Sequence, residues 1–408
     1  MKMKKLLGLI AFSLLIGLFT VNVSAQESIK LTVPIPLTGS QATFGEIEKR
    51  AYEIAMEEIN AARGIKGRKL LLDFEDSKGK PETSRSIAEK LIDVNRQPII
   101  FGEYSSSCSE ALAELAEKRR VPYLVVTGAA DDITQQKYRY VFRMNPTTAY
   151  YTSGLMSFLK KVVKPATIAI LYESSDFGIS GAEDMSKQAR KAGIKIVLKE
   201  PYDRETIDYV TYDVRPVPDI RLMLAKVKAS NPDVIYMVSY AMDAVEIMRE
   251  LRDRRIDARL YAGGAAGFAV PDFIQGAKDA ADYVVTTTLW SPWSTYPGAR
   301  EFAEKYKKRF GDYPSYHGVE AYSALYVIKN ILERARTWKP EDIRIAMKAT
   351  NMMTAFGPVK FEDKEGYTNQ NFMDTLVMQV IGGQYEIIWP EKFASKKYFY
   401  PIPRWRDR

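Results

Sequence analysis

Apolar residues along the first hundred and thirty positions alternate between two rhythms. Ile29, Leu31, Val33 and Ile35 recur at every second position, which predicts a strand over 29–35. From 46 to 62, Ile47, Ala51, Ile54, Ala55 and Ile59 follow the three-to-four spacing of a helix, and Gly64 and Gly67 end it. A second strand follows over 69–75. A second helix runs over 81–95, with Ile87, Leu91 and Val94 turned inward. A short apolar strand over 99–102 leads into a serine-rich turn. Its helix carries Leu112, Leu115 and Ala116 on one face, and basic residues close its last turn. A fourth strand spans 121–127. Strand and helix in alternation at this spacing imply parallel strands with crossover helices. Ligands of such sheets sit beyond the carboxyl ends of the strands. Three loops converge there: 38–44, 104–109 and 127–131.

The pattern restarts after Arg143-Met144-Asn145-Pro146. Helices are predicted over 148–163, up to 192, and over 220–230 and 244–255. Strands are predicted over 167–172, 195–198, 234–238, around 260–264 and over 283–288. A charged, proline-bearing insertion interrupts this unit over 202–218. The last third is helical over 296–310, 318–335 and 339–350, and closes with two strands around Gly382-Gly383. Two α/β units of similar size point to a small-ligand cleft between lobes.

Composition narrows the chemistry. Met1-Lys2-Met3-Lys4-Lys5, an apolar run over 6–23 and Val23-Ser24-Ala25 form the basic, apolar and small-residue zones of an export signal cleaved near Ala25. No cysteine lies near that cleavage site, so no lipid anchor is expected there. Without residues 1–25, which carry three lysines and no acids, the formal charge falls from +8 to +5. That mild, interspersed balance gives no nucleic-acid footprint. One cysteine, Cys108, and one histidine, His317, leave no zinc ligand set and no internal disulfide. No G-x-S-x-G elbow accompanies them, so a hydrolase built on Ser106 or Cys108 with His317 has little support. No cofactor or metal is expected.

Ser105, Ser106 and Ser107 sit where a strand ends and a helix begins. A serine there either caps the helix or, with the open N–H groups of the first turn, holds an anion such as a carboxylate. Glu103 is expected to face the same region, and Cys108 to be a small buried residue.

Several stretches in order resemble the type I periplasmic solute-binding proteins, above all the leucine/isoleucine/valine-binding subgroup of branched-chain amino acid ABC transporters. They are Ile35-Pro36-Leu37-Thr38-Gly39, Phe44-Gly45, Glu58 to Gly67, the serine loop, Phe310-Gly311-Asp312-Tyr313-Pro314, Ala321-Tyr322-Ser323-Ala324 and Gly357-Pro358-Val359-Lys360-Phe361. The resemblance implies an α/β fold of two doubly wound parallel-sheet lobes joined by three crossovers, a Venus-flytrap. Lobe one would hold 29–145 and 289–355, and lobe two 146–288 and 356–400. It also implies a monomer that captures a small amino acid or related carboxylate and hands it to an inner-membrane permease. Ser106 would bind the carboxylate, with Ser105 and Ser107 as supporting donors. The carbonyl of Ala129 would meet an ammonium, and Phe44, Phe177 and Tyr240 would line the cleft. Beside these, His317 and Gly264 are expected to contact ligand. Two departures stand out. Asp131 replaces the family's Thr or Ser, and Gly263-Gly264-Ala265-Ala266 replaces a stretch holding an acid. Either Asp131 supplies the charge for an ammonium, or the ligand is a carboxylate, amide or urea without one. A ligand-sensing domain of the same fold is the other reading.

Overall fold

The computed structural model describes residues 28–203 and 218–408. The expected export signal and most of the charged insertion lie outside the described residues. The first unit runs β1 (Ile29–Ile35), α1 (Ala42–Ala61), β2 (Leu70–Asp76), α2 (Pro81–Glu89), β3 (Ile100–Gly102), α3 (Ser106–Arg119), β4 (Tyr123–Val125), α4 (Asp132–Gln135) and β5 (Val141–Arg143). Strands β3, β4 and β5 pair in parallel, and β1 pairs in parallel with β2. Gln97 joins the two sets. Its Oε1 accepts from Thr32 N at 2.7 Å, and its Nε2 donates to Thr32 O at 3.1 Å and Ile99 O at 2.9 Å. A buried amide thus satisfies backbone groups at the seam between β1 and the start of β3.

The second unit runs α5 (Thr148–Phe158), β6 (Thr167–Glu173), α6 (Asp176–Lys191), β7 (Lys195–Tyr202), α7 (Pro218–Ser230), β8 (Val234–Val238), α8 (Ala241–Asp253), β9 (Leu260–Gly263), α9 (Pro271–Ala277) and β10 (Val285–Thr288). Strands β7, β6, β8, β9 and β10 are parallel neighbours in that order. The chain then returns to the first unit with α10 (Ala299–Phe310), α11 (Tyr316–Arg334) and α12 (Pro340–Lys348). Gly318 of α11 approaches Ile47 and Ala51 of α1 so closely that a Cβ there would lie 3.3 Å from Ile47 Cγ2. The hairpin β11 (Asn351–Met353) and β12 (Pro358–Lys360) leads to β13 (Glu362–Lys364), β14 (Tyr367–Gln370), β15 (Leu376–Ile381) and β16 (Gln384–Trp389).

Here the structure corrects the lobe boundary. Gln370 of β14 pairs in parallel with Arg143 of β5, so β13 and β14 extend the first sheet, where lobe two was expected. The third crossover is therefore 371–375, after which β15 and β16 add antiparallel to β10. Glu365 and Gly366, both at positive φ, turn this hairpin. It was missed because short, mostly polar strands carry no apolar alternation. Asn371 ties crossovers one and three: it donates from Nδ2 to Met144 O at 3.0 Å and from its backbone N to Arg143 O at 2.9 Å.

A second correction concerns Val94, which is 74% exposed rather than inward. The last turn of that helix is widened, with Asn95 N donating to Lys90 O, five residues back, at 3.0 Å. One extra residue in the turn rotates Val94 off the buried stripe that Ile87 and Leu91 follow.

Candidate functional site

The site is built where the carboxyl ends of the strands face each other across the lobes. Ser105 caps α3, its Oγ accepting from Cys108 N at 3.2 Å. That places Ser106 as the first residue of the helix, buried, with its Oγ accepting from Ala129 N at 3.2 Å and Ala130 N at 3.0 Å. With two N–H groups on its oxygen, the hydroxyl proton is what Ser106 has left to give. The Ala129 loop is held from beneath by Arg143, which is wholly buried. Its Nη1 donates to Ala130 O at 2.5 Å and Gly128 O at 3.3 Å, its Nε to Gln370 Oε1 at 2.6 Å, and its Nη2 to Thr134 Oγ1 at 2.6 Å. Burial lowers Arg143 to about 10, so it remains cationic at neutral pH beneath the loop.

Aromatic rings close the rest. In lobe one, Tyr104 stacks on Phe44 of α1 with centroids 4.3 Å apart, and His317 meets Phe44 edge-on at 5.1 Å. Phe44 takes this place because α1 starts hard against the preceding loop. A Cβ on Gly45 would fall 1.8 Å from Pro36 O, so only glycine fits the Phe44-Gly45 junction. In lobe two, Tyr240 lies 5.6 Å from Phe177 and reaches across to Tyr104 at 5.9 Å. Gly267 packs on the backbone of Tyr240; a Cβ there would lie 2.2 Å from Tyr240 C. Tyr316 bridges the lobes by accepting from Ala266 N at 3.2 Å.

Ser106, Ala129, Phe177, Tyr240 and His317 thus share one cavity, together with Tyr104, Thr127, Tyr151, Ala266 and Tyr316. The free space among them is about 10 Å³, room for one water, so the walls must part to admit a solute. The other expected residues fall elsewhere. Phe44 stands behind Tyr104 and His317 rather than in the wall. Ser107 is half-buried outside the lining. Gly264 lies under the floor, where a Cβ would meet Tyr236 Oη at 2.6 Å. Asp131 turns to the start of α5, its Oδ1 accepting from Thr148 Oγ1 at 3.3 Å. Glu103 does not face the cleft. Its carboxylate takes Tyr104 N at 2.9 Å and Ser84 Oγ at 3.3 Å, towards α2. Tyr151 and Tyr316 were missed because each lies in the first turn of a helix in another part of the chain; only packing brings them to this point. A wider groove of about 600 Å³ lies beside the second crossover; it shares Tyr316 with the cavity and takes in none of the expected site residues.

The electrostatics of the cavity are close to neutral. Burial pushes His317 down to about 3, so its ring is uncharged. Behind Thr127, whose Oγ1 donates to Glu48 Oε1 at 2.8 Å, burial pushes Glu48 up to about 8. Glu320, buried nearby on α11, is held well above the usual carboxylate range for the same reason. Cys108 is buried and its thiol is pushed far up, which rules it out as a thiolate nucleophile. None of the ten lining residues is an acid. The arrangement offers hydrogen-bond donors, a helix N-terminus and flat apolar walls.

Three comparisons bear on this geometry. A relative from Brucella melitensis biotype 1, Leu/Ile/Val-binding protein homolog 8, is 29% identical over 398 residues, covering 93% of this chain and 94% of its own. LivJ of Streptococcus pneumoniae, solved with isoleucine, superposes with a TM-score of 0.75 at 20% identity over 88% of this chain and 98% of its own. A solute-binding protein of Rhodopseudomonas palustris, solved with 3,4-dihydroxybenzoic acid, gives 0.75 at 19% identity over 92% and 98%. Both likenesses establish the two-lobed type I fold. The family model described as periplasmic binding protein matches residues 28–384. The chain therefore belongs to the periplasmic binding protein family.

Proposed function

We propose that the protein captures a small carboxylate between its lobes, outside the cytoplasm, as a monomer, and delivers it to an inner-membrane ABC permease without transforming it. The observation that carries this reading is Ser106. It offers one hydroxyl proton at the N-terminus of α3, inside an aromatic box and above a buried arginine. Helix N-termini and hydroxyl donors favour a carboxylate, and the rings of Tyr104, Phe177 and Tyr240 favour a flat or branched apolar tail. The names of the relatives support an amino acid, and the dihydroxybenzoate-bound neighbour supports an acid without an amine. The lining favours the latter, because an ammonium would find there neither an acid nor an anionic partner.

A thermal-shift screen of the ligand-stripped protein tests this. The panel pairs leucine, isoleucine, valine and phenylalanine with their deaminated acids, and adds benzoate and small amides. A solute bound by the folded state raises the melting temperature by mass action. Deaminated acids and benzoate are expected to stabilise more than the parent amino acids. Stabilisation by amino acids alone would reverse the assignment of solute class, and stabilisation by none would remove the carboxylate reading.

A further inference from the structure

The closing faces of the lobes meet along a second line, away from the cavity, and that line is acidic on both sides. Asp131 comes from lobe one, just before α4, and Asp184 from α6 of lobe two. Both stand around Thr148, the first residue of α5. Thr148 Oγ1 lies 2.6 Å from Asp184 Oδ2, 3.3 Å from Asp131 Oδ1 and 2.6 Å from Ser180 Oγ. Ser180 in turn accepts from Asp131 N at 3.1 Å, across the lobes. The protons do not suffice. Thr148 has one to give, and Ser180 one. Asp131 and Asp184 also meet side chain to side chain; if Ser180 donates to Thr148 and Thr148 to Asp184, no proton is left for that contact unless one carboxyl is itself protonated. A further acid, Glu110 of α3, is close enough to be repelled by Asp176 at the start of α6 opposite and by Asp132 on its own lobe.

We propose that closure of the two lobes takes up protons at Asp184 and Glu110, so that the closed form is favoured in acid and the lobes part as the pH rises. The proposal rests on the reading that the lobes open to admit solute. Lys187 opposes the protonation of Asp184, and the hydroxyls of Tyr367 and Tyr236 adjoin Asp131 and Asp184. Buried Arg143 is the nearby cation that reaches both Asp131 and Glu110. Against these, burial and the facing acids prevail: Asp184 and Glu110 are each pushed up to about 7. The sign follows. Parting the lobes returns Asp184 to water and towards its ordinary value near 4. The closed form therefore binds more protons between about pH 4 and 7. Over that window the closed-to-open ratio rises by up to about tenfold for each unit the pH falls, per group titrating.

The test needs no solute. Small-angle X-ray scattering of the solute-free protein reads the radius of gyration from pH 8 to pH 5. The wild type is expected to contract as the pH falls. Asp184→Asn is expected to be more compact at pH 8 and to change less, and Asp184→Asn with Glu110→Gln to stay compact throughout. A wild-type radius that does not change, or variants that keep the full wild-type change, would overturn the proposal. Should Asp184→Asn lose its cooperative melting, Asp131→Asn is judged by the same criterion. The thermal-shift screen at fixed pH answers separately whether a carboxylate binds, so the failure of one reading leaves the other standing.

Discussion

Replacing Ser106 by alanine removes one oxygen and exposes two consequences that the geometry separates. The first is structural. Ala129 N and Ala130 N both lose their acceptor, and Ser106 is only 2% exposed, so water does not reach them freely. Each lost hydrogen bond is worth about 1 kcal/mol net, and a buried donor left unpaired costs about 1–3 kcal/mol. The adjoining space holds about one water, which re-satisfies one N–H at most. The expected loss of stability is therefore about 1–3 kcal/mol, a fall of several degrees in melting temperature. The second consequence is functional. The hydroxyl proton proposed to meet the solute disappears, and a hydrogen bond to a charged oxygen is worth about 1.5–3 kcal/mol. Affinity for whichever carboxylate the screen selects should drop by roughly tenfold to a hundredfold. Isothermal titration calorimetry at one pH, paired with thermal melts, reads both. Ser105→Ala is the contrast. It removes a helix cap worth about 1 kcal/mol and should leave affinity nearly unchanged. If Ser106→Ala binds as tightly as wild type, the carboxylate is not held at the start of α3 and the reasoning fails.

Three further outcomes are expected. Gln97→Ala removes all three bonds that join β1 to the start of β3 and should cost about 2–4 kcal/mol in urea unfolding; an unchanged midpoint would mean the seam is held otherwise. Gly267→Ala drives a Cβ into the backbone of Tyr240; it should destabilise by about 2–4 kcal/mol and weaken solute binding, and a variant with normal affinity would show that Tyr240 does not set the cleft. His317 stays neutral in the fold down to about pH 3, whereas an unfolded histidine takes up a proton near pH 6.5. The unfolded chain thus gains protons first as the pH falls, and wild type loses stability between about pH 6.5 and 3. His317→Gln should lose about 1–2 kcal/mol less than wild type between pH 7 and pH 5; equal losses in urea titrations would place the histidine in water.

Much of the scaffold was legible because its cause is local. The apolar alternation of Ile29 to Ile35 is the strand β1 at its full length, and the stripe from Ile47 to Ile59 is the buried face of α1. The first two crossovers follow strand ends that the apolar runs mark. Ser106 was legible for the same reason: a hydroxyl between a strand and a helix has few places to point. The hairpin of β13 and β14 was not, since Glu362-Asp363-Lys364 and Tyr367-Thr368-Asn369-Gln370 carry neither an apolar period nor an apolar run. Its sheet was assigned by Gln370 bonding Arg143, a partner more than two hundred residues away.

The local sequence determined which residues form strands and helices, because burial of one face and the chemistry of turns act over a few positions. Tertiary structure alone decided which side chains became the wall of the cleft. Phe44 was placed behind Tyr104 by stacking, Tyr151 and Tyr316 were brought in by helices from distant parts of the chain, and Asp131 was drawn away to Thr148. Those outcomes depend on how two separately folded lobes meet. That is set by shape and by the cost of leaving a polar group without a partner, and neither is written in the spacing of any one segment.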